Sequence, residues 1–187
     1  MKMLKKLLAV VLTGAMALTL LTACGGNAVN DKNIADAMTD VAKYNDMNIT
    51  FTPRAEEREM ARKLAELLDG KTEYDASKTE VENEIAKILG YNEGGPNEES
   101  RFVWYGRVFT DEIGVTGQVY QLVDYFLNPS GAVNYDKVHN KNNQEPAGTH
   151  YMGTAFCKMP GDNGELLTMR VILVTADAED PQHPGKA

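Results

Sequence analysis

Cysteine, histidine and tryptophan are scarce in this chain: two, three and one among 187 residues. Two cysteines, at positions 24 and 157, are too few for a disulfide framework or a cysteine-rich metal site. His139, His150 and His183 show no HxxxH-type spacing, so the helical pair of imidazoles that many zinc sites use is missing. There is no GxSxG elbow, no phosphate-cradling glycine loop and no CxxC pair. Basic charge is also short, with 19 Lys and Arg against 27 Asp and Glu, a formal charge of −8. Phosphate binding needs a basic patch, and no Lys/Arg cluster stands outside the first few residues, so a nucleic-acid partner is disfavoured.

What the chain does have begins at its start. Lys2, Lys5 and Lys6 precede an apolar segment from Leu7 to Leu21, which ends in small residues before Cys24. This is the pattern of a secretory signal, with an apolar run shorter than the roughly 20 residues a spanning helix needs. Leu21-Thr22-Ala23-Cys24 resembles the lipobox of bacterial lipoproteins, and the resemblance implies that Cys24 is lipidated and becomes the first residue of the mature chain. It implies two or three acyl chains, and more than one chain is what a stable anchor takes. The expected organisation is a signal peptide over 1–23, a tether over 24–33, one domain over 34–176 and a flexible tail over 177–187. Removing the three leader lysines takes the formal charge from −8 to −11. The 164 remaining residues suffice for a single domain with its own core. Cys157 then has no partner thiol, and its place in an apolar strand-like run reads as buried and inert.

Hydrophobic spacing predicts the elements. Ile34, Met38 and Val41 mark a first helix to about Tyr44. Met60, Leu64, Leu67 and Leu68 mark a second, opened by Thr52-Pro53 as cap and first residue and closed at Gly70. Ser77-Lys78-Thr79-Glu80 reads as a capping box for a third, with Val81, Ile85, Ile88 and Leu89 inward and Gly90 at its end. After the turn-rich "YNEGGPNEES", the aromatic and β-branched "RFVWYGRVF" at 101–109 reads as a strand. Val119, Tyr120, Val123 and Phe126 restore helical spacing over 116–128, before Pro129. Residues 129–147 read as an irregular loop. Strands at 149–159 and 165–176, joined by "PGDNG", predict an antiparallel hairpin. The sum is an α+β domain with helices covering a small antiparallel sheet of three or slightly more strands.

The stretches "WYGRVF", "VDYFLNPSGAVNYDKV" and "HYMGTAFCKM" follow an order that resembles the CAP superfamily, the cysteine-rich secretory and pathogenesis-related (SCP-like) proteins. The resemblance covers residues 104 to 174 and implies an α-β-α sandwich. Zinc-binding members place two histidines and acidic residues around one cleft. Here Arg107 stands at the position of the motif glutamate and Ala132 at that of the histidine after Ser130-Gly131, and no histidine precedes His139. The family's metal chemistry is therefore not carried over, and no cofactor is expected.

The candidate cleft comprises Trp104, Arg107, Ala132 and His150. His150 could serve as a base, although a lone histidine at a sheet edge is more often exposed or hydrogen-bonded. Asp136, Asn140 and Asn142 alternate as calcium ligands do, but Lys141 and Ala147 occupy the places that need glycine and glutamate. Adjacent carboxylates such as Glu56-Glu57 and Glu98-Glu99 point apart on a helix and read as solvated faces. The expectation is an extracytoplasmic lipoprotein held at the cell membrane, with a binding or structural domain directed at an envelope protein or a cell-wall ligand. An envelope hydrolase working through His150 and a small-ligand-binding lipoprotein are the alternatives.

Overall fold

The computed structural model describes residues 26–110 and 115–182. The segment expected to be a signal peptide, with Cys24, and the end of the expected tail, with His183, lie outside the described residues. Within them the chain is α+β: helices α1 (Gly26–Tyr44), α2 (Ala55–Leu68), α3 (Glu73–Ala76), α4 (Thr79–Leu89) and α5 (Val115–Leu127), and strands β1 (Thr50–Pro53), β2 (Arg101–Phe109), β3 (Glu145–Pro160) and β4 (Leu166–Glu179). The four strands form one open sheet in the order β1-β3-β4-β2. β3 and β4 make the expected antiparallel hairpin, β2 runs antiparallel to β4, and β1 adds in parallel to β3. The sheet is therefore mixed, where an antiparallel one was expected.

Each face of the sheet carries its own core. Alternation along the strands sends Phe102, Trp104 and Val108 of β2, Met152 of β3, and Ile172, Val174 and Ala176 of β4 to one face, under α1 and α5. Val103 of β2, Ala155, Cys157 and Met159 of β3, and Met169, Val171 and Leu173 of β4 point the other way, under α2, α3 and α4. The long central strands are buried on both sides, which is why β4 reads as the near-continuous apolar run "MRVILVTA".

Helix stripes pack where their spacing predicts. In α2, Met60, Leu64 and Leu68 recur four residues apart and are buried. In α4 the buried pair is Ile85 and Leu89, and Gly90 ends the helix in the left-handed region at φ +71°, as a C-terminal glycine does. Val119, Val123 and Phe126 of α5 close over β2.

Several boundaries differ from expectation. Residues 26–33 belong to α1 rather than to a tether, and Asp31 within them is fully buried. Thr52-Pro53 does not cap α2: both residues lie in β1, and Arg54 is the cap position, with its own backbone N–H donating to Met152 O at 2.9 Å. The capping box at residue 77 is not used; Lys78 takes the cap position without a side-chain bond, and Ser77 Oγ donates to Tyr74 O. The 129–147 segment holds a 3-10 turn at Pro129–Gly131 and a π turn at Asp136–Asn140, and β3 starts early at Glu145. β4 continues to Glu179, so the tail begins later than residue 177, and Ala178 is buried.

Candidate functional site

The four candidate cleft residues do not meet in a cleft. Trp104 and Arg107 are three apart on β2, an odd interval that puts them on opposite faces. Trp104 is fully buried, with its indole N–H donating to Asn128 O at 3.0 Å. Ala132 joins the same core. Arg107 lies on the other face, 3.0 Å from Glu73 and 3.8 Å from Met159 Sδ.

His150 is neither at a sheet edge nor exposed. β3 is an inner strand there, flanked by β1 and β4, and the imidazole is 1% exposed. Its ring lies 5.2 Å from that of Phe51, its partner across the β1 ladder, and 5.3 Å from that of Trp104. Ala176 opposes it on β4. Burial lowers its pKa to about 4, against a weaker raising effect from the Gly148 backbone, and Nδ1 has no hydrogen-bond partner. A general base needs a proton acceptor within reach of substrate and a pKa near the working pH. This imidazole is a neutral core aromatic.

Asp31, Glu57 and Arg170 are buried in two networks, and Glu57 is thereby corrected from the solvated face expected for it beside Glu56. Asp31 of α1 accepts from Thr154 N at 2.8 Å and Thr154 Oγ1 at 2.7 Å on one oxygen, and from Arg58 Nε at 2.6 Å on the other. Arg170 donates to Gln118 Oε1 at 2.7 Å and to Thr154 Oγ1 at 3.3 Å, and its guanidinium lies 4.3 Å from the Phe156 ring centre. Burial lowers the Arg170 pKa, and Asp31 opposes that. In the second network, Glu57 at the start of α2 is bound by Arg54 and by Thr175 Oγ1, the latter at 2.7 Å. Burial pushes the Glu57 carboxyl up, but these bonds outweigh it and leave the pKa lowered. Both networks tie a helix to the sheet.

A concave feature lies elsewhere. A cleft of about 730 Å³ lies between the 93–100 turn and the π turn, lined by Glu93, Gly95, Glu98, Ser100, Lys137 and Lys141 among others. Asn134 builds it: its amide donates to Asn97 O, Glu98 O and Arg101 O, while its carbonyl accepts from Val103 N. Glu98 pairs with Lys137, and Lys141 reaches Glu99 at 2.7 Å. The walls are polar and of both signs, suited to a polar ligand by hydrogen bonds and ion pairs. "YNEGGPNEES" signalled the turn in the sequence; the pairing with residues 137 and 141 depends on Asn134 and is invisible there.

Among the described residues, no three His, Cys, Asp or Glu side chains stand together in a way that could hold a metal. The calcium-like alternation at Asp136 and Asn140 lies on the π turn, where Asn140 Nδ2 donates to Asp136 Oδ1 at 2.7 Å. Cys157 is buried and free, and burial pushes its thiol up to about 11. No described helix is long and apolar enough to cross a membrane. No family model, no curated protein and no solved structure matches the chain.

Proposed function

We propose that this protein is a membrane-anchored extracytoplasmic lipoprotein whose α+β domain binds or scaffolds a component of the cell envelope. The observation that carries the reading is the run from Lys2 through the apolar 7–21 segment to Leu21-Thr22-Ala23-Cys24. Cys24 takes the acyl chains, which contribute about 0.8 kcal/mol per buried methylene, so two or three chains hold the domain at the membrane. The domain's role as a binder rather than a hydrolase is supported by the packing of His150 between Phe51 and Trp104, where no substrate reaches it. The polar cleft over Glu98, Lys137 and Lys141 is the surface we assign to an envelope protein or a cell-wall ligand.

The finer fold reading is a divergent CAP-like α-β-α sandwich without that family's metal site. It is supported by the order strand, helix, loop and hairpin over residues 104–174, and by helices on both faces of the sheet. Arg107 and Ala132 replace the two motif ligands, and they lie apart from each other.

Metabolic labelling with a radioactive fatty acid tests the anchor. Label and membrane sedimentation are expected for the native chain and are both lost in Cys24→Ala. A Cys24→Ala chain that still labels and sediments would refute the reading. For the domain, turnover of peptidoglycan or peptide that disappears in His150→Ala would put the hydrolase first.

A further inference from the structure

The two edges of the sheet are finished differently. On the β1/β3 side, most outward backbone groups are taken: Phe51 N by Thr39 Oγ1, Met152 O by Arg54 N, Thr154 N by Asp31, and Lys158 N and O by Asp69 and Gly70, which leaves Thr154 O and the backbone groups of Phe156 without a partner among the described residues. On the β2 side, Val103 N and O are taken by Asn134 and Val133. The next two outward-facing residues, Tyr105 and Arg107, have no partner for their backbone N–H and C=O groups among the described residues. Even-numbered residues of β2 spend theirs on β4. Among the described residues no proline, bulge or covering segment meets this edge at Tyr105 and Arg107, and of the devices that normally keep an edge from pairing only a charged side chain, Arg107 held by Glu73, is present.

We infer that this edge is a self-association surface, on which β2 of a second copy adds antiparallel about Gly106. A strand and its own copy related by a two-fold axis through Gly106 bring Tyr105 opposite Arg107, and Arg107 opposite Tyr105. The outward N–H of each residue meets the outward C=O of the other, giving four hydrogen bonds from groups that are otherwise bare. The side chains match as well. An arginine directly opposite an aromatic ring is a pair this sheet already uses: Phe156 and Arg170 oppose each other in the β3/β4 ladder, with the guanidinium 4.3 Å from the ring centre. Gly106 at the centre adds no side chain to obstruct the crossing, and the ladder stops where Asn134 and Val133 close the edge at Val103. Around it the surface is aromatic: Phe109 and Tyr125 are exposed, and with Tyr105, Arg107 and Glu73 they line a groove of about 350 Å³. Ring-rich grooves of this kind are common at interface centres.

The test is a register-specific cross-link in the full chain, in the membranes of cells that express it. Opposed residues of a hydrogen-bonded antiparallel pair lie about 5.5 Å apart at Cα, within disulfide reach. Co-expressed Tyr105→Cys and Arg107→Cys chains should yield an oxidised dimer on a non-reducing gel, while either variant alone yields little. Buried Cys157 does not compete. As a second readout, Tyr105→Pro removes the outward N–H together with the half-buried Tyr105 ring and spares the even-numbered groups that bond β4. It should weaken association of the detergent-solubilised chain about tenfold or more in sedimentation equilibrium, with an unchanged circular dichroism spectrum. Absence of a cross-link in the mixed sample, or equal cross-linking in either variant alone, would overturn the inference. So would a different polypeptide found on this edge.

Discussion

Two titratable side chains have their protonation set by the protein interior. For His150 the folded pKa of about 4 lies below the ordinary 6.5. The unfolded chain therefore binds a proton first as pH falls. The contribution of the neutral imidazole is fully present above pH 6.5 and is lost as pH drops through that value toward 4, about 3 kcal/mol in all. Urea unfolding of the native chain should show falling stability between pH 6.5 and 5, above the range where most carboxylates titrate. His150→Phe, which keeps an aromatic ring beside Phe51 and Trp104, should flatten that slope; an unchanged slope would place its origin elsewhere. Cys157 follows the same physics with opposite sign, since burial disfavours thiolate. Its thiol should be nearly unreactive toward a disulfide reagent at pH 8 in the folded chain and fully reactive in urea, a comparison read by absorbance.

Among the described glycines, Gly153 makes the closest approach, where α2 crosses β3. Gly153 lies under the first turn of α2, where a Cβ would collide with Arg58 N and Cα and with Glu57 C. Gly153→Ala must lift the helix from the sheet, because the obstruction is backbone and has no rotamer to change. A loss of about 2–3 kcal/mol is expected in thermal or urea unfolding, the size of an overpacked core; a neutral substitution would mean the helix sits higher. The same closeness explains the short strand before it. Thr50 to Pro53 has no period of its own, and the Thr-Pro pair carries a helix-start signal. Pairing with residues 149–152 of β3 makes it a strand, and Arg54 N completes the connection by donating to Met152 O. A four-residue strand whose partner lies about a hundred positions away leaves no local trace.

The whole molecule is held by charges that reach from one layer to the next. Asp31 belongs to α1 over one face, while Arg58 comes from α2 over the other, and their 2.6 Å contact joins the layers beside Thr154. Asp31→Ala would leave the Arg58 and Arg170 charges short of an anion and Thr154 N without an acceptor. Removing one member of a buried pair is strongly destabilising, so a loss of about 3 kcal/mol or more is expected in urea unfolding. If residues 26–33 were a tether, the same substitution would cost almost nothing, so the experiment discriminates between the two readings.

The sequence by itself determined the parts whose signals are local. It determined β2 to the residue, the stripes of α2, α4 and α5, the β3/β4 hairpin, a buried Cys157 and the α+β class, because apolar period and turn residues act over a few positions. Tertiary structure decided the rest. "NAVNDKN" has no apolar period and reads as linker, yet it is helical because Asp31 finds Thr154, 123 positions away. His150 reads as an edge histidine and is a core ring, because β1 adds outside β3 and covers it. Trp104 and Arg107 read as neighbours and stand on opposite faces, because a strand alternates. In each case the deciding energy is a contact between residues far apart in the chain, and such contacts exist only once the sheet is assembled.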